Sequence, residues 1–143
     1  MKLAILLLCH KNAEQINLLL ETLKHPDIEF FIHMDKKADI VNQLIKRQDI
    51  HVLPDNLRVD VRWGEFSQTQ ATLNLFSAAR EMKNFDYYWL CSGQDFPVVS
   101  ADKIINYFSD YPRLNFISLW SSYFYNNRNK KNRYDMIYIF HIS

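Results

Sequence analysis

An uninterrupted apolar run near the N-terminus, residues 3–8, constrains the fold of this chain most strongly. Its length fits a single strand, and apolar side chains at every position are typical of a strand buried on both faces of a parallel sheet. A membrane-spanning helix would need roughly 20 such residues. A secretory signal is disfavoured because no small residues precede Cys9. The run therefore predicts a central parallel strand.

Helical and strand-like segments alternate along the rest of the chain. Helices are predicted to start at the Asn12 cap, with Gln15 as its partner, and to cover residues 40–45, 67–83 and 100–110. Further strands are predicted at residues 29–34, 51–53, 58–61, 87–91 and 115–120. This alternation predicts an α/β fold, a mainly parallel sheet with helices on both faces.

Composition and charge exclude several classes of function. The chain has 143 residues, which fits one domain, and 17 Lys and Arg against 16 Asp and Glu. With a net charge of +1 there is no overall positive field to attract nucleic acid. Two glycines are too few for a glycine-rich phosphate loop. Cys9 and Cys91 are too few for a zinc site or a disulfide framework, and both are predicted to be buried, reduced thiols.

Polar residues that follow predicted strands are candidates for a binding site, because ligands of open α/β sheets bind beyond the carboxyl ends of the strands. Asp35 could accept hydrogen bonds from a ribose or a uracil N–H, or it could cap the following helix. Lys36 or Lys37 could neutralise a pyrophosphate, or both could be solvated. Trp63 beside Gly64 could form an aromatic wall with close backbone approach, or Trp63 could pack in the core.

A turn with the sequence SGQDFP, residues 92–97, follows the predicted strand 87–91. It is predicted to project Asp95 into the same cleft, with Gln94 beside it. A single carboxylate makes a poor metal site, so the charge of a pyrophosphate would have to be met by Arg and Lys. His10 could act as a base, although a histidine at a strand end is more often scaffold, and His33 is predicted to be structural.

Four motifs occur in order along the chain, at residues 7–12, 31–37, 61–64 with 71–74, and 92–97. Together they resemble the core-2/I-branching glycosyltransferase family, which also includes peptide O-xylosyltransferases. The resemblance extends from residue 3 to about residue 141. Where relatives commonly have a second glycine after the Trp-Gly pair, this chain has Glu65.

The resemblance implies a GT-A fold, a UDP-sugar donor (UDP-GlcNAc or UDP-xylose), inversion at the anomeric carbon and no metal or other cofactor. It places Asp35 and Trp63 at the uridine end, Gln94 and Asp95 near the sugar, and residues 120–134 beside the acceptor. The predicted donor-binding residues are thus Asp35, Lys37, Trp63, Gly64, Gln94 and Asp95, and the predicted acceptor-side residues are Arg128, Arg133 and Tyr134.

The family usually continues for about as many residues again, and that part carries the general base. Residues 1–143 are therefore predicted to be a single domain, the N-terminal donor-binding half of a glycosyltransferase, with an incomplete sheet and a catalytic base beyond Ser143. Residues 136–142 are apolar and strand-like, and an exposed strand favours association. Self-association through residues 134–143 is therefore expected.

A non-catalytic nucleotide-binding or partner domain of α/β type is the alternative function. Flavodoxin-like and receiver domains are disfavoured because residues 10–12 carry neither a phosphate loop nor clustered acids. The expected partners are a UDP-sugar and a glycan or protein acceptor, with no nucleic acid. The expected location is a bacterial cytoplasm, with peripheral association at the inner membrane face.

Overall fold

The fold is known from a computed structural model that describes residues 1–112, 114–116 and 139–140. Its strands are β1 (Leu3–Cys9), β2 (Ile28–Met34), β3 (Ile50–Val52), β4 (Tyr87–Ser92) and β5 (Ile139–Phe140). Its helices are α1 (Ala13–Thr22), α2 (Phe66–Met82) and α3 (Ala101–Asp110), with short 3-10 turns at Val41–Gln43 and Asp55–Leu57.

The strands form one sheet in the order β3-β2-β1-β4-β5. The strands β1 to β4 pair in parallel, and β5 pairs antiparallel with β4. β1 is central, with Leu3 opposite both Ile28 of β2 and Tyr87 of β4. The carboxyl ends of β1, β2 and β4 therefore lie at the same edge. The α/β fold with a mainly parallel sheet and a buried central first strand is confirmed.

Helices cover both faces of this sheet, as predicted. On one face, Leu3, Ile5 and Leu7 of β1 pack in a single core with buried residues of α1 and α3. On the other face, Ala4 and Leu6 pack with buried residues of α2. Both sets of β1 side chains are fully buried, which explains why the strand is apolar at every position. None of the helices in the described part of the chain is long and apolar enough to cross a membrane.

The helix predicted around residues 40–45 is wrong, since only the 3-10 turn Val41–Gln43 forms there. Asn17 on α1 provides the physical reason. Its Nδ2 donates to the carbonyl of Gln43 at 2.9 Å, and its Oδ1 accepts from the backbone N–H of Ile45 at 2.9 Å. Both backbone groups are thereby paired outside a helix, and Leu44 between them is extended.

The strand predicted at residues 58–61 is also absent. The segment lies against the end of β2, where Lys36 donates one backbone hydrogen bond to the carbonyl of Val59 at 3.0 Å. The N–H of Val59 is taken by a side chain, the Nε2 of His33, at 2.9 Å. A ladder needs backbone partners on successive residues, and here side chains supply them instead.

The helix caps are confirmed at two of three positions. Asn12 accepts from the N–H of Gln15, and Ser100 accepts from the N–H of Lys103. The predicted cap at Ser67 is wrong, because α2 begins one residue earlier and Ser67 Oγ accepts from the N–H of Arg62 at 2.8 Å. Of the strand predicted at residues 115–120, residues 115–116 are not a strand and the remainder lies outside the described residues.

Candidate functional site

A cleft of about 1120 Å³ opens at the carboxyl ends of β1, β2 and β4. Its lining brings together four of the predicted sugar-donor residues, Asp35, Lys37, Trp63 and Asp95. Gly64 and Gln94 adjoin the lining without being part of it. The acceptor-side predictions Arg128, Arg133 and Tyr134 lie outside the described residues.

Asp35 directly follows β2 and is only 6% exposed. Its Oδ1 accepts from the backbone N–H of Lys37 at 2.9 Å, and its Oδ2 lies 3.8 Å from the Lys37 ammonium. The carboxylate thus closes a turn rather than capping a helix. Asp35 also lines the cleft, and a carboxylate oxygen can accept more than one hydrogen bond.

Lys37 is held in place across the same edge. Its Nζ donates to Asp60 Oδ1 at 2.5 Å and to the carbonyl of Val61 at 2.8 Å. The Asp60 carboxylate raises the pKa of Lys37, and Lys37 in turn lowers the pKa of Asp60. The ammonium is therefore a positive charge that Asp60 and the carbonyl of Val61 hold in place at the cleft.

Trp63 stands at the cleft with 86% of its surface exposed, so it is not a core residue. Gly64 after it has φ of +78°, a left-handed conformation that favours glycine. Nothing lies within 4 Å of where a Gly64 Cβ would be, so this glycine is required by the backbone turn and not by close packing. Glu65 has φ of −102°, which any residue adopts, so the missing second glycine leaves the loop unstrained.

The turn after β4 holds Asp95 by its own backbone. Asp95 Oδ2 accepts from the N–H of Ser92 at 2.7 Å, and the N–H of Asp95 donates to the carbonyl of Ser92 at 3.0 Å. Gln94 is exposed and points back to the β1 end, where its Nε2 donates to the carbonyl of Lys11 at 3.5 Å. Of the two residues predicted near the sugar, Asp95 lines the cleft and Gln94 does not.

His33 is buried and paired with the backbone, which agrees with the structural role predicted for it, and it also lines the cleft. It is 1% exposed, and its Nε2 accepts from the N–H of Val59, which fixes the neutral ring with the proton on Nδ1. Burial lowers the pKa of His33, with the Arg58 charge adding to the effect and the Asp35 carboxylate opposing it. His10 also lines the cleft and is exposed.

The lowered pKa of His33 predicts a loss of stability on mild acidification. A histidine whose pKa falls on folding stabilises the protein fully above its unfolded value, about pH 6.5, and this contribution is lost as the pH falls below it. The free energy of unfolding, measured by urea denaturation at pH 7.5 and pH 5.5, should therefore drop more for the wild type than for His33→Gln. The glutamine can still accept from Val59 but does not titrate. Equal drops in the two proteins would contradict this prediction.

The two cysteines of the chain lie at or near the cleft. Both cysteines are free thiols, Cys9 buried as predicted and Cys91 only partly buried at the cleft wall. Burial raises the pKa of the Cys9 thiol to about 12 and also raises that of Cys91. Within the described residues, no three His, Cys, Asp or Glu side chains come close enough to share a metal ion.

Arg58 is a residue of this region that the sequence analysis missed. Its side chain is 12% exposed and donates to three backbone carbonyls around the end of β2. The sequence gives no signal for such contacts, because the acceptors lie 20–24 residues away along the chain.

Comparison with known proteins agrees with the motifs. The family model for Core-2/I-Branching enzyme matches residues 3–142. A xylosyltransferase of Ciona intestinalis is 30% identical over 123 residues, which is 81% of this chain and 14% of that protein. Xylosyltransferase 1 of Rattus norvegicus and of Homo sapiens are each 25% identical over 122 residues, covering 15% and 13% of their lengths. The chain thus spans a small part of these relatives, and it belongs to the core-2/I-branching enzyme family.

Proposed function

We propose that this chain provides the sugar-donor site of a glycosyltransferase and that its cleft binds the UDP portion of a UDP-sugar. The observation that carries the proposal is the meeting of Asp35, Trp63 and Asp95 at one cleft at the carboxyl edge of the sheet. These side chains come from three separate stretches of sequence, and the family membership supports a sugar donor as the ligand.

The uridine end of the ligand is assigned to Asp35 and Trp63. A buried carboxylate at the lining of the cleft suits the N–H of uracil or a ribose hydroxyl, because a charged acceptor strengthens such hydrogen bonds. An exposed indole offers a flat surface on which a base can stack.

The diphosphate is assigned to the basic residues at the same edge. Lys37 is at the cleft but shares its charge with Asp60. Lys36 and Arg62 nearby along the chain are exposed, and neither side chain forms a salt bridge with another described residue. Positive side chains can stabilise a departing UDP without a metal ion, and the proposal is accordingly metal-independent.

The proposal also covers the transferred sugar and the general base. Transfer of GlcNAc or xylose to a glycan or protein hydroxyl with inversion requires a carboxylate base on the acceptor hydroxyl. Xylose is favoured by the relatives that are named xylosyltransferases. The location of the base beyond Ser143 stays a prediction, and among the described acids Asp95 is the one that lines the cleft at the sugar end.

Isothermal titration calorimetry with UDP tests the proposal directly. The purified chain should bind UDP, and CDP should bind more weakly because its base lacks the uracil N–H. Adding EDTA should leave the UDP affinity unchanged. No binding of UDP would contradict the assigned uridine site. Equal binding of UDP and CDP would exclude the uracil N–H as the partner of Asp35 and leave the ribose hydroxyl, and a strict need for Mn²⁺ would contradict the metal-independent mechanism.

Transfer assays separate the proposal from its alternative. UDP binding combined with transfer from UDP-xylose or UDP-GlcNAc, once any downstream sequence is restored, supports the glycosyltransferase. UDP binding without transfer under those conditions would favour a non-catalytic nucleotide-binding domain. A cytoplasmic location, peripheral membrane association and self-association through residues 134–143 stay predictions.

A further inference from the structure

Arg58 lies outside the lining of the cleft, yet its guanidinium joins the groups that build one wall. Its Nε donates to the carbonyl of Met34 at 3.0 Å, and its Nη2 donates to the carbonyls of Asp35 at 2.9 Å and Ala38 at 2.8 Å. Its Nη1 contacts Asp55 Oδ1 at 2.7 Å, but that carboxylate is largely exposed. The side chain thus serves mainly backbone carbonyls.

These carbonyls belong to the turn that presents Asp35 to the cleft. The turn is closed by the N–H of Ala38 donating to the carbonyl of Asp35 at 2.9 Å. The guanidinium of Arg58 thus bonds the last residue of β2, Met34, and the first and last residues of the turn, Asp35 and Ala38. Because the turn begins at Asp35, these bonds fix the backbone that carries the carboxylate, and the N–H of Lys37 in the same turn holds its Oδ1.

The backbone of the same segment leads to Trp63, another residue of the lining. Val59, next to Arg58, is held on both sides, by the ring of His33 and by the N–H of Lys36. The chain then continues through Asp60 and Val61, which both accept from Lys37, to Trp63. Arg58 is therefore bonded to the turn that carries Asp35 and also lies at the start of the segment, residues 58–62, that leads to Trp63.

We infer that Arg58 is a positioning residue of the sugar-donor site, which sets the Asp35 carboxylate and the Trp63 loop at the separation that a UDP ligand needs. The inference rests on the proposed function, since it requires that the cleft bind UDP. A planar guanidinium can reach three carbonyls from fixed N–H directions, whereas a lysine ammonium is a single point and cannot span them.

Arg58→Lys tests the inference, and Arg47→Lys is a matched control. Arg47 is similarly buried, contacts both oxygens of Asp49 at 2.7 and 2.8 Å, and donates to the carbonyl of Leu20 at 3.1 Å and to Glu21 at 2.8 Å. It does not line the cleft. Both variants lose a multiply bonded guanidinium, so thermal denaturation should show comparable losses of stability.

The UDP affinity separates the two variants. By calorimetry well below both melting temperatures, Arg58→Lys should bind UDP about tenfold more weakly than the wild type, and Arg47→Lys should bind it equally well. Equal affinity of Arg58→Lys and wild type, or equal weakening in both variants, would overturn the inference while leaving the proposed function intact. Failure of the wild type to bind UDP would overturn both.

Arg58→Gln serves as a second variant where Arg58→Lys does not fold. Its amide can donate to two of the three carbonyls without a charge. The expected result is again weaker UDP binding by a folded protein. If neither Arg58 variant folds while Arg47→Lys does, Arg58 serves the fold and the inference is overturned.

Discussion

The Asp35→Ala variant is expected to bind UDP about 5- to 150-fold more weakly than the wild type, which corresponds to about 1–3 kcal/mol. The reason is the loss of a charged, buried acceptor at the lining of the cleft. A ligand N–H or hydroxyl that pairs with this carboxylate would lose its charged partner. Calorimetric titration of UDP into both proteins measures the difference.

Asp35→Asn is the matched control for this prediction. Oδ1 of Asp35 also accepts from the N–H of Lys37, so alanine removes a turn contact as well as a ligand contact. Asparagine keeps an acceptor for the turn but removes the charge. We expect intermediate UDP affinity for Asp35→Asn and near wild-type stability. Wild-type UDP affinity in Asp35→Ala would exclude Asp35 from the site, and equal affinity of Asp35→Asn and wild type would exclude a role for its charge.

The features that could be predicted from the sequence are those fixed by local chemistry. The apolar run of β1 is buried on both faces, so its pattern alone determines a central strand. Asn12 and Ser100 cap their helices through partners three residues away. Parallel strands then bring their carboxyl ends to one edge. For this reason residues as far apart as Asp35 and Asp95 could be placed at a single cleft without coordinates.

The features that could not be predicted depend on long-range hydrogen bonds from side chains to backbone. Residues 40–45 read as an amphipathic helix, but the amide of Asn17 pairs with two backbone groups there. Residues 58–61 read as a strand, but His33 and Arg58 supply the contacts that a neighbouring strand would have made. Neither donor nor acceptor shows a pattern in the sequence, because tertiary structure alone brings them together.

Gly93, in the turn after β4, is required for a reason that its sequence context does not show. Gly93 has no positive φ, so its backbone conformation does not demand a glycine. Space is what requires it. A Cβ at this position would lie 2.6 Å from Cys9 Sγ and 3.3 Å from Ile16 Cγ1, while the N–H of Gly93 donates to the carbonyl of Leu8 at 2.9 Å. The turn that carries Asp95 is thus packed directly on the end of β1.

Gly93→Ala is accordingly expected to lower the free energy of unfolding by about 1–3 kcal/mol, the usual cost of overpacking a buried contact. Because the nearest atom is the Cys9 sulfur, adding Cys9→Ala should recover part of the loss, so that the double variant is more stable than the sum of the single effects predicts. Urea denaturation of the wild type, both single variants and the double variant measures this coupling. Leu18→Ala, at an exposed site on α1, controls for nonspecific effects and should change the stability little. Strictly additive effects of Gly93→Ala and Cys9→Ala would contradict the prediction. They would show that the turn accommodates a Cβ at residue 93 without displacing the Cys9 thiol.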